Sequence, residues 1–174
     1  MTQQTPNGAD TRIAQARMAG PILLATEFGA VSSGAERVAI RLAAQAGVPL
    51  LIVNAIDPGR LRLPGGLFVQ RVDQARAARQ AAAAALMQRA RSAGVQPQLL
   101  IWDGDPATCI LDAARSEGAS RIVIGSHGRG RIGRVLIGSV SAAVGGEAEC
   151  PVDIVRDDGS AEEVVTVSHG PRPV

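Results

Sequence analysis

The chain has 174 residues, 46% of them hydrophobic and 20% charged, the make-up of one globular domain with a sizeable core rather than of a disordered segment. Aromatic residues amount to 2% with no Tyr, too few for the stacking platforms that hold single-stranded nucleic acid, and the net charge is only +2. All eighteen basic residues are Arg, so neither a Lys nucleophile nor a phosphate-loop Lys exists.

Residues 1–19 are small and polar and read as a flexible tail; they lack the apolar core of a signal peptide, and no apolar run reaches the ~20 residues that span a bilayer. Pro21 leads into Ile22 to Thr26, a continuous apolar run suited to a central parallel strand. Glu27, Phe28 and Gly29 end it. Ser32 or Ser33 is placed to N-cap a helix with an apolar face of Val38, Ile40, Leu42 and Ala43, and Gly47 closes that helix. Pro49 to Ile56 is a second buried strand, and Asp57 to Gly66 is loop. The Ala- and Arg-rich stretch Val69 to Ser92 has high helix propensity, with Gly94 as its stop. Gln98 to Trp102 is the third strand. Asp105-Pro106 opens a helix that runs to about Glu117, with Pro in its first turn.

Arg121 to Ile124 is the fourth strand and ends at Gly125. A glycine-rich loop follows, and a helix begins near Gly138-Ser139. Pro151 to Val155 is the fifth strand. Residues 158–174 form a second tail, in which Val164 to Val167 has the composition of an edge strand. Strands alternating with helices through short loops predict an α/β fold, a doubly wound parallel sheet of five strands over residues 20–157. Its ligand crevice lies at the carboxyl ends of the strands, beside the switch in strand order, flanked by Glu27 and Gly125. The two Cys, Cys109 and Cys150, lack metal-like spacing and read as inert thiols of a reducing compartment. No metal site is predicted.

Strand, glycine-rich loop and helix start outline a phosphate site, because a helix N-terminus offers unpaired N–H groups and the positive end of its dipole. A Walker A loop is excluded by the missing Lys. Gly128-Arg-Gly130-Arg-Ile-Gly133 matches the dinucleotide fingerprint by letter. That fingerprint belongs in the first strand-helix turn, and here it follows the fourth strand. The wider spacing remains: Gly125, two residues, Gly128, nine residues, then Gly138-Ser139.

That spacing resembles the nucleotide signature of the universal stress protein family. GSHGRG followed by GSVS and CPVDIVR is similar to the family's closing module. PILLATEF resembles its opening strand, NAID the end of its second, and GDPATCILDAARSEGASRIVIGSHG the stretch from third strand to loop. The resemblance covers roughly residues 20–157. It implies a Rossmann-like fold of the adenine nucleotide alpha hydrolase-like type, strand order 3-2-1-4-5, and a site for ATP, AMP or ADP with Mg2+. In that site Gly125 and Gly128 bring backbone against ribose and phosphates. Gly138, Ser139, Val140 and Ser141 hold the outer phosphates. Arg129, by its charge, either screens the phosphates or solvates an exposed loop. Ile124 and Ala55 line the adenine pocket, and Glu27 stands where the family usually has Asp, facing the ribose or adenine. The extra methylene of Glu27 shifts its carboxylate by about a bond length, enough to re-aim a hydrogen bond.

The resemblance further implies a cytoplasmic, nucleotide-dependent regulator of the stress response, a homodimer whose last strand pairs with its twin. Asp153 stands in that strand where the family shows an apolar residue, and a charge on an edge strand opposes pairing. Neither nucleic acid nor membrane is an expected partner. Two other readings stay open: a nucleotide-independent dimeric adaptor, and a slow ATPase or autophosphorylating protein. The residues give little to the second, since phosphoryl transfer needs metal-holding acids, a positioned base and a cationic clamp.

Overall fold

A computed structural model describes residues 20–57, 59, 68–126, 138–157 and 162–168. The N-terminal tail, residues 158–161 and 169–174 of the C-terminal one, most of the loop after the second strand, and the loop bearing Gly128 and Arg129 lie outside the described residues.

Six strands form one sheet in the order β3-β2-β1-β4-β5-β6. They are β1 (Ile22–Ala25), β2 (Leu50–Ile56), β3 (Pro97–Asp103), β4 (Arg121–Gly125), β5 (Val152–Asp157) and β6 (Glu162–Val167). The first five run parallel, in the 3-2-1-4-5 order expected of the family. Helices α1 (Ser33–Ala46), α2 (Phe68–Ser92), α3 (Pro106–Ser116) and α4 (Ser139–Glu147) connect them, with a 3-10 turn (Ala30–Ser32) ahead of α1.

The apolar runs are continuous because both faces of the sheet are covered. Alternation along β1 sends Ile22 and Leu24 to a core shared with α1 and α2, through Val38, Ala39, Leu86 and Ala90. Leu23 and Ala25 go to a second core with Ile110, Leu111 and Val144 of α3 and α4. Leu23, Leu24, Leu50, Leu51 and Ile52 are all fully buried, each contributing about 1.5–3 kcal/mol by transfer from water. Most of the helix punctuation follows the sequence. Gly47 sits at φ 67° past α1 and Gly94 at φ 77° past α2, left-handed positions suited to glycine. Asp105 caps α3 by accepting from the Thr108 N–H at 2.9 Å. The exception is Ser32, which occupies the N-cap of α1 without a side-chain cap bond. Its hydroxyl accepts instead from the Glu27 N–H at 3.4 Å.

The sixth strand changes the meaning of Asp153. β6 runs antiparallel along β5, with Asp153 opposite Thr166, so β5 is not an edge. The Asp153 carboxylate is 3% exposed. It accepts from the Arg121 guanidinium at 2.7 Å and the Thr166 hydroxyl at 2.6 Å. The charge is therefore an internal tie between β4, β5 and β6 rather than a guard on a free strand.

Candidate functional site

Strand order reverses between β1 and β4, and there the carboxyl ends of the strands diverge. A cavity of ≈ 180 Å³ opens at this point. Its floor is Ala25, Thr26, Val53, Asn54, Ala55, Ile124 and Gly125 from β1, β2 and β4 and their ends. Glu27 and Ser32 form one side. Pro106 and Ile110 of α3 form another, and Gly138, Ser139, Val140 and Ser141 at the start of α4 close it. Every site residue expected from the sequence lines this one cavity, except Gly128 and Arg129, which lie outside the described residues.

Three helix N-termini meet the cavity; that of α1, at Ser32, continues from the 3-10 turn, where the Ser33 N–H bonds the Ala30 carbonyl, and those of α3 and α4 differ. The first turn of α3 is capped by Asp105, whose carboxylate takes the Thr108 N–H and, at 3.0 Å, the Thr108 hydroxyl. Those bonds, the backbone one foremost, hold the Asp105 carboxyl below its ordinary pKa. The first turn of α4 begins at Gly138 (φ −60°, ψ 155°) with no side-chain cap bond. The N–H groups of Ser139, Val140 and Ser141 precede the first intrahelical bond, which runs from the Ala142 N–H to the Gly138 carbonyl at 2.8 Å. The Ser141 hydroxyl, almost fully buried, donates back to that same carbonyl at 3.0 Å. At this helix start Ser141 can offer a ligand its amide, and the exposed Ser139 its amide and hydroxyl.

The opposite wall is the turn from β1 to α1, held by a set of hydrogen bonds. The buried Asn54 amide donates to the Thr26 carbonyl at 2.6 Å. The Thr26 hydroxyl accepts from the Phe28 N–H at 2.9 Å and donates to the Glu36 carboxylate at 3.0 Å. Glu36 in turn takes Arg89 of α2 at 2.5 Å. Arg79 of α2 donates to the Glu27 carbonyl at 2.6 Å. Within this set Phe28 is held at φ 59°, a left-handed conformation costly to a residue with a side chain. Strain held by several bonds is common where a turn must present a ligand surface.

Gly125 has a packing role of its own. A Cβ at this position would lie 3.2 Å from the Val31 carbonyl and 3.6 Å from the Ser32 Cα. The glycine lets the end of β4 press against the 3-10 turn that carries Ser32. Sequence reasoning missed Ala25, Thr26, Ser32, Val53, Asn54, Pro106 and Ile110 as lining residues. Asn54 carried a usable signal, a lone amide inside the apolar run PLLIVNAI. Glu36, Arg79 and Arg89 carried none. The two thiols stand apart from the cavity lining, and burial pushes both up from the ordinary cysteine pKa.

The same chain pattern recurs among known proteins. Residues 18–156 match the model of the universal stress protein family. A universal stress protein from Thermus aquaticus, encoded 3′ of a QAH/OAS sulfhydrylase, is 37% identical over 139 residues, covering 78% of this chain and 97% of that protein. A crystal structure of a member of that family from Burkholderia pseudomallei superimposes with a TM-score of 0.67 at 28% identity, covering 80% of this chain and 98% of that one. The Archaeoglobus fulgidus universal stress protein in complex with dAMP aligns with a TM-score of 0.58 at 26% identity, over 78% of this chain and 96% of that one. The strand order, the family-model match over residues 18–156 and relatives covered almost end to end agree, and the chain belongs to the universal stress protein family.

Proposed function

We propose that the cavity binds an adenine nucleotide, and that the protein is a nucleotide-dependent regulator of the stress response acting in the cytoplasm as a homodimer. The nucleotide is ATP with Mg2+, or AMP or ADP in its place. One observation carries this reading: at the cavity α1 is preceded by a 3-10 turn and α3 is capped by its own carboxylate, whereas α4 is left open by its side chains. Open amides at a helix start favour phosphate oxygens. The dAMP complex of the Archaeoglobus relative supports an adenine nucleotide as the ligand class.

Base and ribose would lie over Ala55, Ile124 and Glu27, and the phosphates at Gly138, Ser139, Val140 and Ser141. Gly128 and Arg129 would close over them. The lining holds no Lys and reads the phosphates through N–H groups, so the reading is one of binding, with the ligand shifting populations of a partner-competent state. Isothermal titration with Mg-ATP and with dAMP tests it. Saturable heat at one site per chain is expected, and no binding at millimolar nucleotide would sink the reading.

A further inference from the structure

Helix α2 grips one peptide unit of the cavity wall at both ends. The unit joins Glu27 to Phe28. Its carbonyl accepts from the Arg79 guanidinium at 2.6 Å, and its N–H donates to the Thr26 hydroxyl at 2.9 Å. The second tie also runs back to α2, since the Thr26 hydroxyl donates to Glu36 at 3.0 Å and Glu36 takes Arg89 at 2.5 Å. Bonds at opposite ends of a planar group fix the direction of its plane. Here that direction sets Phe28 at φ 59°, disfavoured for an L residue with a side chain. Turning the plane over by about 180°, the change that separates type I from type II turns, would bring Phe28 to an ordinary negative φ. It would also aim the carbonyl at Thr26, whose single hydroxyl proton already goes to Glu36.

We propose that Arg79 is a positioning residue of the nucleotide site: it holds the Glu27–Phe28 peptide in its strained direction, and without it the peptide turns over. The inference rests on the nucleotide reading above and adds to it a residue outside the cavity, on a helix that supplies none of its described lining. Of the two ties, the one from Arg79 carries a full charge on its donor and is the stronger kind. The tie from Thr26 is a neutral hydroxyl–amide bond. Glu27 lines the cavity, and its N–H donates at 3.4 Å to Ser32, which lines the same side. The direction of the peptide that follows Glu27 therefore governs how this wall meets a ligand. Arg79 acts on the ligand through that wall, and the strain at Phe28 is what makes its bond necessary.

The test uses the full chain. Arg79→Ala should melt close to the wild type, because release of the Phe28 strain offsets the lost bond. By isothermal titration it should bind Mg-ATP and dAMP about tenfold more weakly, the cost of one residue held in the left-handed region. Arg79→Lys should recover most of that affinity, since one donor is enough for one carbonyl. A crystal structure of Arg79→Ala should show Phe28 at negative φ. Phe28→Gly separates position from charge. Glycine accepts positive φ without strain, so loss of Arg79 should cost that variant about threefold or less. A ligand that feels only the Arg79 charge would lose the same factor in both backgrounds. Phe28 still at positive φ in Arg79→Ala, unchanged affinity, equal losses in the two backgrounds, or no rescue by Arg79→Lys would each overturn the proposal. No nucleotide binding by the wild type would instead overturn the function proposed above. The φ of Phe28 in Arg79→Ala needs no ligand, and it decides the hold of Arg79 on the peptide in either case.

Discussion

The bond between Arg89 and Glu36 is asymmetric, and the asymmetry has a measurable consequence. The Glu36 side chain is 8% exposed and that of Arg89 is 55%. Removing the exposed partner should therefore cost more than neutralising the buried one. Glu36→Gln keeps an oxygen for the Thr26 hydroxyl and leaves the Arg89 guanidinium free to hydrate, a loss of about 1 kcal/mol. Arg89→Ala leaves the Glu36 carboxylate in a poorly hydrated site, bonded among the described residues to the Thr26 hydroxyl alone. Stranding a fully buried charge costs about 3–5 kcal/mol, and the residual exposure of Glu36 and its bond to Thr26 bring the expected loss to about 2–3 kcal/mol. The Arg89→Ala/Glu36→Gln double variant should recover to about 1 kcal/mol below wild type, because the neutral amide no longer needs the cation. Urea unfolding at constant m-value measures all three. Arg89→Ala no costlier than Glu36→Gln, or a double variant equal to the sum of the singles, would refute the reasoning.

Two further changes probe the cavity walls. Gly125→Ala places a methyl 3.2 Å from the Val31 carbonyl; overpacking of this kind costs about 1–2 kcal/mol, read as a lowered melting temperature together with weaker nucleotide binding as the Ser32 turn is displaced. Asp105→Ala removes the α3 cap and should cost about 1 kcal/mol at neutral pH. Because the folded carboxyl is held below its ordinary pKa, the cap's contribution is full above the unfolded value and is lost as pH falls through the folded one. Unfolding curves should therefore show the wild type and Asp105→Ala converging in acid.

Much of the fold was legible because its signals are local. The runs Ile22 to Thr26 and Pro49 to Ile56 are apolar without alternation, which two-sided burial demands. Gly47, Gly94 and Asp105-Pro106 punctuate helices through their own backbone chemistry. The placing of Gly125, Gly138 and Ser139 at one cavity was legible for the same reason, since they stand on one strand-loop-helix segment. The turn opposite was not, because its ties join distant residues, Glu36 to Arg89 across 53 positions and Glu27 to Arg79 across 52. No local pattern marks a surface arginine as the anchor of a turn. Asp153 was visible as a departure, but its meaning depended on Arg121 and Thr166, set beside it only by sheet order. Ser32 shows a local rule giving way, since its hydroxyl serves the strained turn rather than the helix behind it.

The claim most exposed to failure is that phosphate binds at the open N-terminus of α4. Comparing isothermal titrations of the wild type and Gly138→Val tests it directly. Gly138 has φ −60° and ψ 155°, a backbone any residue adopts. The valine therefore adds bulk at the helix start without requiring an unfavourable backbone conformation. The account predicts saturable adenine nucleotide binding by the wild type and none by a folded Gly138→Val. Equal affinity in the two proteins would contradict it.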